Sequence, residues 1–198
     1  MAAQGGPDLI RLWTIQSLPA WQKAQRVGAL KGDGRFVWKE FRPAYRWMRR
    51  QMAERLGDCR GQYPVWAWLQ PKPDLRRGGH LPQGMIGVRL EFIVPAQEVL
   101  LSDFSAWHMV LNDGYLALSE AESDAFYERH FACCETTPRP AAPRPLRCAK
   151  EVEKSWERIF GIESLANNTY WQGAMSTQGV LRELPLERIV RVDSFVSR

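Results

Sequence analysis

Two periodicities divide this chain. Leu9–Gln16 (LIRLWTIQ), Tyr63–Gln70 (YPVWAWLQ) and the run Val88, Leu90, Phe92, Val94 place apolar residues at every second position, the signature of half-buried strands. Two more strand-like runs lie near 176–184 and 188–196. A 3.6-residue period replaces the alternation over 40–56, where Phe41, Tyr45, Met48, Met52 and Leu56 form one apolar stripe. A shorter helix is predicted over Pro19–Val27, with Pro19 suited to its first turn and Gly28 just past its end. Ser119 and Glu122 make a capping box for a helix reaching about Cys134. Val152, Trp156, Ile159 and Phe160 mark the inner face of another helix, ended by Gly161. The prediction is an α+β fold: a flexible leader over 1–8, then a single domain over 9–198. Its mixed or antiparallel β core uses strands 9–16, 63–69, 88–94, 177–183 and 188–195, with the 40–56 helix lying against it. Two proline-bearing loops interrupt the pattern, at 71–87 and 135–149.

Composition narrows the class without naming an activity. A chain of 198 residues with 45% hydrophobic content can bury one sizeable core. The opening MAAQGGPD has neither the basic nor the apolar segment of a signal peptide, and no apolar run reaches membrane-spanning length. The expectation is a cytoplasmic protein with no membrane partner. The net charge is +5, and most of the excess falls between Lys39 and Arg60, where seven basic and three acidic residues give 7 − 3 = +4. Arg42, Arg46, Arg49 and Arg50 gather on a side of the 40–56 helix away from the apolar stripe. They are either a solvated face or a phosphate-facing surface for a nucleic-acid partner, whose binding would weaken with salt. His130, Cys133, Cys134 and Cys148 lack the Cys-x-x-Cys spacing of a zinc knuckle, so no metal is expected. The glycine-rich phosphate loops, the zincin helix and the nucleophile elbow are all missing from the sequence.

The densest chemistry lies at 100–112. There the strand-like run delivers Ser102, Asp103, Trp107, His108 and Asn112 in quick succession. Asp103 is a candidate catalytic carboxylate or the cap of a helix starting near Ser105. His108 is a candidate base or anion binder, or a structural hydrogen-bonding residue.

Trp-Thr-Ile-Gln at 13–16, the 44–52 run, Tyr-Pro-Val-Trp-Ala-Trp at 63–68 and the 100–112 run identify the chain as a member of a bacterial family of unknown function. Leu12–Leu30 also resembles the opening of the DNA-thymidine ADP-ribosyltransferase toxins. In those enzymes a strand carrying His-x-Thr precedes a short helix and a glycine. Thr14 and Gln16 fall at the His and Thr positions. Tyr63–Pro71, with Trp66, is similar to their Val-Pro-Phe-Tyr-Phe strand, and Ser102–Asp103 to their Thr-Asp strand end. Thr177, Gln178, Gly179 and Val180 fall where they have Arg-Gln-Ala-Glu. The resemblance implies an ADP-ribosyltransferase-like fold with NAD as substrate and a nucleic acid as acceptor. It places Gln178 in catalysis and Thr14, Gln16, Tyr63 and Trp66 at NAD, with Asp103, His108 or Glu183 replacing the catalytic groups the chain lacks. It further implies that Thr14, Gln16, Tyr63, His108 and Gln178 line one pocket. The catalytic glutamate falls at Val180, which cannot stabilise a developing positive charge. Glu183 comes three residues later, on the opposite face if the strand continues. Three readings therefore stand: a divergent transferase, a non-catalytic nucleotide- or nucleic-acid-binding protein of the same fold, and a protein-interaction module using its tryptophans.

Overall fold

A computed structural model of the chain describes residues 8–131, 146–171 and 176–198. The chain forms two compact units. One contains Met1–Leu101 and Ser176–Arg198, and the other contains Ser102–Met175. The leader up to residue 7 and the proline-rich loop up to residue 145 lie outside the described residues.

The first unit is built on β1 (Leu9–Ser17), followed by α1 (Leu18–Val27) and β2 (Ala29–Lys31). Next come α2 (Arg42–Arg55), β3 (Val65–Gln70), β4 (Ile86–Pro95) and β5 (Leu100–Asp103), whose last two residues are counted in the second unit. The chain returns to it as β6 (Thr177–Leu181), β7 (Glu183–Pro185) and β8 (Ile189–Val196). Six strands make a sheet in the order β5-β6-β3-β1-β4-β8, while β2 and β7 form a separate two-stranded ribbon. Pairing is antiparallel between β1 and β3, β1 and β4, β3 and β6, and β4 and β8. The fold is thus mixed α+β with a mostly antiparallel sheet.

Alternation sorts side chains onto the two faces of that sheet. Trp13 pairs with Trp68 on one side and Glu91 on the other, and Trp68 pairs with Gln178. These four side chains form a row across one face. Leu12, Val65, Ala67, Leu90, Phe92 and Leu181 point to the other face, where Ala24 of α1, Leu30 of β2 and Leu184 of β7 close the core over them. Ser17 caps α1 by accepting from the Ala20 amide at 3.4 Å. Gly28, at φ 80°, ends the helix in the left-handed region that glycine adopts most easily.

The second unit is helical. It comprises α3 (Phe104–Leu111), α4 (Glu120–Phe131), α5 (Leu146–Ser155) and α6 (Ile162–Ala166), with 3-10 turns at Trp156–Phe160 and Thr169–Trp171. Its 114–118 segment is caught by side chains from later in the chain. The Leu116 amide donates to Ser155 Oγ at 2.9 Å, and the indoles of Trp156 and Trp171 donate to the Gly114 and Ala117 carbonyls at 2.7 Å. Glu122 accepts from Arg158 and Tyr115, both at 2.7 Å, and from the Leu118 amide. Burial opposes ionisation of Glu122, but the Arg158 hydrogen bond and its other donors prevail and hold its pKa at about 2.

Three expectations need correction. The predicted strand at 177–183 breaks after Leu181, and Glu183 starts β7 on the ribbon, because Leu184 fills the core beside Leu30. The buried stripe of α2 is Ala44, Trp47, Met48, Gln51 and Met52. It is turned from the predicted one because Phe41 belongs to the preceding 3-10 turn and Leu56 has left helical geometry. The loop expected to run to 149 gives way to α5 at Leu146.

Candidate functional site

The turn from β2 toward α2 and the segment entering β3 meet closely. A Cβ on Gly32 would collide with the Tyr63 and Pro64 carbonyls, and one on Gly34 would collide with the Tyr63 ring. Only glycine permits this approach, and it fixes where Tyr63 stands. Arg49 of α2 completes the support. Its Nε donates to the Gly61 carbonyl at 2.6 Å, and its guanidinium lies 4.5 Å from the Tyr63 ring centroid, within cation–π reach.

Beside this ring the β2–β7 ribbon ends. The pairing of Lys31 with Glu183 brings their side chains together, with an ion pair at 3.1 Å. Arg182, in the bend between β6 and β7, reaches the other Glu183 oxygen at 3.2 Å. Lys31, Gly32, Gln62, Tyr63, Arg182 and Glu183 line a cavity of about 490 Å³. Two cations and one carboxylate give its wall a charge of 2 − 1 = +1. The cavity therefore offers an aromatic ring, two anion-binding groups and one acceptor for hydroxyl donors.

The other predicted site residues are dispersed. Thr14 is buried on the core face of β1 and accepts from Gln16 Nε2 at 2.9 Å. Gln178 lies on the opposite face of the sheet, in the row with Trp68 and Trp13. Thr14 and Gln16 thus do not share a face with Gln178. Trp66 shares the face of Gln178 and meets Tyr45 of α2 edge-on at 6.1 Å. Val180 pairs with Trp66 and is completely buried. Gln178 is 5% exposed, and its Nε2 has no hydrogen-bond partner among the described residues.

Asp103 and His108 belong to the second unit. Asp103 caps α3, accepting from the Ala106 amide at 2.7 Å. His108 is exposed, its Nδ1 2.8 Å from the Phe104 carbonyl and its ring edge-on to Phe104. His130 pairs with Glu151 at 2.8 Å, while Cys133 and Cys134 lie outside the described residues. Of the four arginines of the basic helix, Arg42, Arg46 and Arg50 are exposed, whereas Arg49 is committed to Gly61 and Tyr63.

Lys31, Gln62 and Arg182 escape a sequence reading because the three-residue pairing of β2 with β7 spans about 150 residues of chain. The one available signal is the Gly32 and Gly34 spacing before a basic-aromatic run. Glu91 is also missed. It is 7% exposed on the row face and bonded by Arg11, by the Trp13 indole at 3.1 Å and by Lys72 at 3.6 Å. Burial works against its charge, but the Trp13 and Arg11 hydrogen bonds and both cations keep its pKa below the usual carboxylate value. Fully engaged by these donors, Glu91 joins β1, β4 and the 71–85 loop.

Fold and site together define an α+β protein with a polar, ring-walled cavity at the end of a β ribbon. The chain belongs to the family described as Domain of unknown function (DUF3841), whose model matches residues 11–190. No curated protein and no solved structure matches the chain. Among the described residues, no helix is long and apolar enough to cross a membrane.

Proposed function

We propose that the chain binds a nucleotide in the cavity of Lys31, Tyr63, Arg182 and Glu183, NAD being the ligand its resemblance to the ADP-ribosyltransferase toxins suggests. The supporting observation is the meeting of a tyrosyl ring, two cations and a carboxylate around about 490 Å³, a volume typical of small-ligand sites. Lys31 and Arg182 suit phosphate oxygens. The exposed part of the Tyr63 ring suits a base, and Glu183 can accept from ribose hydroxyls.

Cleavage of NAD breaks the C1′–N bond, and its electron pair leaves with nicotinamide. The positive charge developing at C1′ needs a facing carboxylate before water or an acceptor adds there. In this cavity that carboxylate is Glu183, since Val180 has none. Lys31 and Arg182, at 3.1 and 3.2 Å, already offset its charge. This favours the binding reading over the catalytic one, and turnover is expected to be slow. A nucleic-acid acceptor belongs to the same resemblance.

Heat denaturation with and without NAD, ADP and nicotinamide tests the reading. A ligand confined to the folded state raises stability by about 2.7 kcal/mol at a hundred times its Kd. NAD and ADP are expected to raise the midpoint of the wild type, and Arg182→Gln to reduce both shifts. An absence of shift with every nucleotide, or shifts indifferent to Arg182→Gln, contradicts it. Nicotinamide release by wild type and Glu183→Gln then separates slow turnover from none.

A further inference from the structure

Between β2 and α2 the chain presents aromatic rings to solvent. Phe36 is 82% exposed and Trp38 71% exposed. Trp38 stacks on half-buried Phe41, with centroids 5.7 Å apart and planes 19° from parallel. Rings this exposed gain little for the fold where they stand, since burial is what chiefly stabilises an indole or phenyl ring. Glycines and two 3-10 turns, Gly34–Phe36 and Lys39–Phe41, hold them in an ordered segment.

Cations follow these rings closely along the chain. Lys39, Arg42 and Arg46 are exposed and make no ion pair among the described residues. Arg42 and Arg46 are four apart on α2, where like charges repel and cost a few tenths of a kcal/mol. Asp33 is already engaged by Arg35 at 2.6 Å and Lys23 at 3.7 Å, leaving Glu40 as the one exposed acid of the segment without an ion pair. From Asp33 to Arg46 the charge is 4 − 2 = +2. Unpaired cations next to open rings in the sequence match a polyanion carrying flat apolar groups.

We infer that Phe36, Trp38, Lys39, Arg42 and Arg46 form a binding surface for single-stranded nucleic acid. The rings stack on successive bases, and the cations track the phosphates. A duplex keeps its bases stacked internally and offers the rings nothing, so the surface discriminates for single strands. This surface involves none of the residues lining the nucleotide cavity and does not depend on that reading.

Fluorescence anisotropy of a labelled oligothymidine of about 15 nucleotides, near the upper end of such site sizes, tests the inference. The wild type is expected to bind it well above a duplex of equal length. The double variant Phe36→Ala, Trp38→Ala should weaken binding at least about tenfold with little change in salt dependence. The triple variant Lys39→Gln, Arg42→Gln, Arg46→Gln should shallow the log–log salt slope by about 2, at about 0.7 per phosphate contact. All five side chains are exposed, and Trp38→Ala alone, checked for native circular dichroism, should shift affinity in the same direction. Equal binding of duplex and single strand, affinity unchanged by the aromatic substitutions, or capture by phosphatidylserine vesicles with no oligonucleotide binding overturns it.

Discussion

At the scale of single residues, the chain uses most of its buried charge to hold itself together. Glu122 in the second unit is the clearest case, with Arg158, Tyr115 and the Leu118 amide on one carboxylate. Its folded pKa, about 2, lies below the ordinary 4.5. A depressed carboxylate pKa means that the unfolded chain takes up the proton first. The stability it contributes is complete above about pH 4.5 and is lost as pH falls toward 2. Glu122→Gln should therefore flatten the denaturation free energy between those pH values, the remaining slope coming from groups such as Glu91, whose pKa is also lowered. Urea melts at a series of pH values measure this, and an unchanged slope would show that Glu122 titrates normally. The same scale explains why candidate chemistry was hard to assign in advance. Asp103 and His108 carry functional groups that sequence alone reads as either catalytic or structural. Only their partners decide, and those come from the folded backbone.

At the scale of elements, local signals worked where local physics decides. The capping box at Ser119 forms, with the Glu122 amide donating to Ser119 Oγ at 3.1 Å. Gly28 ends α1 in the left-handed region, and alternation located β1, β3, β4 and β8 to within a few residues. Non-local choices were not legible. Nothing near Arg182 says that the chain leaves the main sheet there to pair with β2, yet that change builds the cavity. Likewise, the phase of α2 depends on where the helix starts, and Trp47 rather than Phe41 wins the buried stripe. Asp103 offers a direct test of an element-level role. As the cap of α3 it should tolerate Asn or Ser, while Asp103→Ala should cost about 1 kcal/mol. Chemical denaturation of the three variants tests this capping role. Equal loss of stability in all three would mean that the charge, not the cap, matters.

At the scale of the whole molecule, the antiparallel sheet of the first unit has two unlike faces. One is the apolar core of Leu12, Leu90 and Phe92, and the other carries tryptophans, Gln178 and the charged pairs of Glu91 and Arg89 with their partners. Because strands alternate, Thr14 and Gln178 fall on different faces, so the pocket implied by resemblance alone cannot contain both side chains as placed. Of the residues named for that pocket, Tyr63 lines the cavity, where the ribbon gathers Lys31, Arg182 and Glu183. Family membership leaves the activity open, so the central claim rests on this cavity. Calorimetric titration with NAD, on wild type and on the double variant Lys31→Gln, Arg182→Gln, addresses it most directly. Removing both cations leaves Glu183 facing the phosphates alone, and loss of charge-assisted hydrogen bonds costs about tenfold or more in affinity apiece. The account predicts saturable binding at one site in the wild type and its near abolition in the double variant, with the fold intact. Binding of equal strength in both proteins, or none in the wild type, would contradict it.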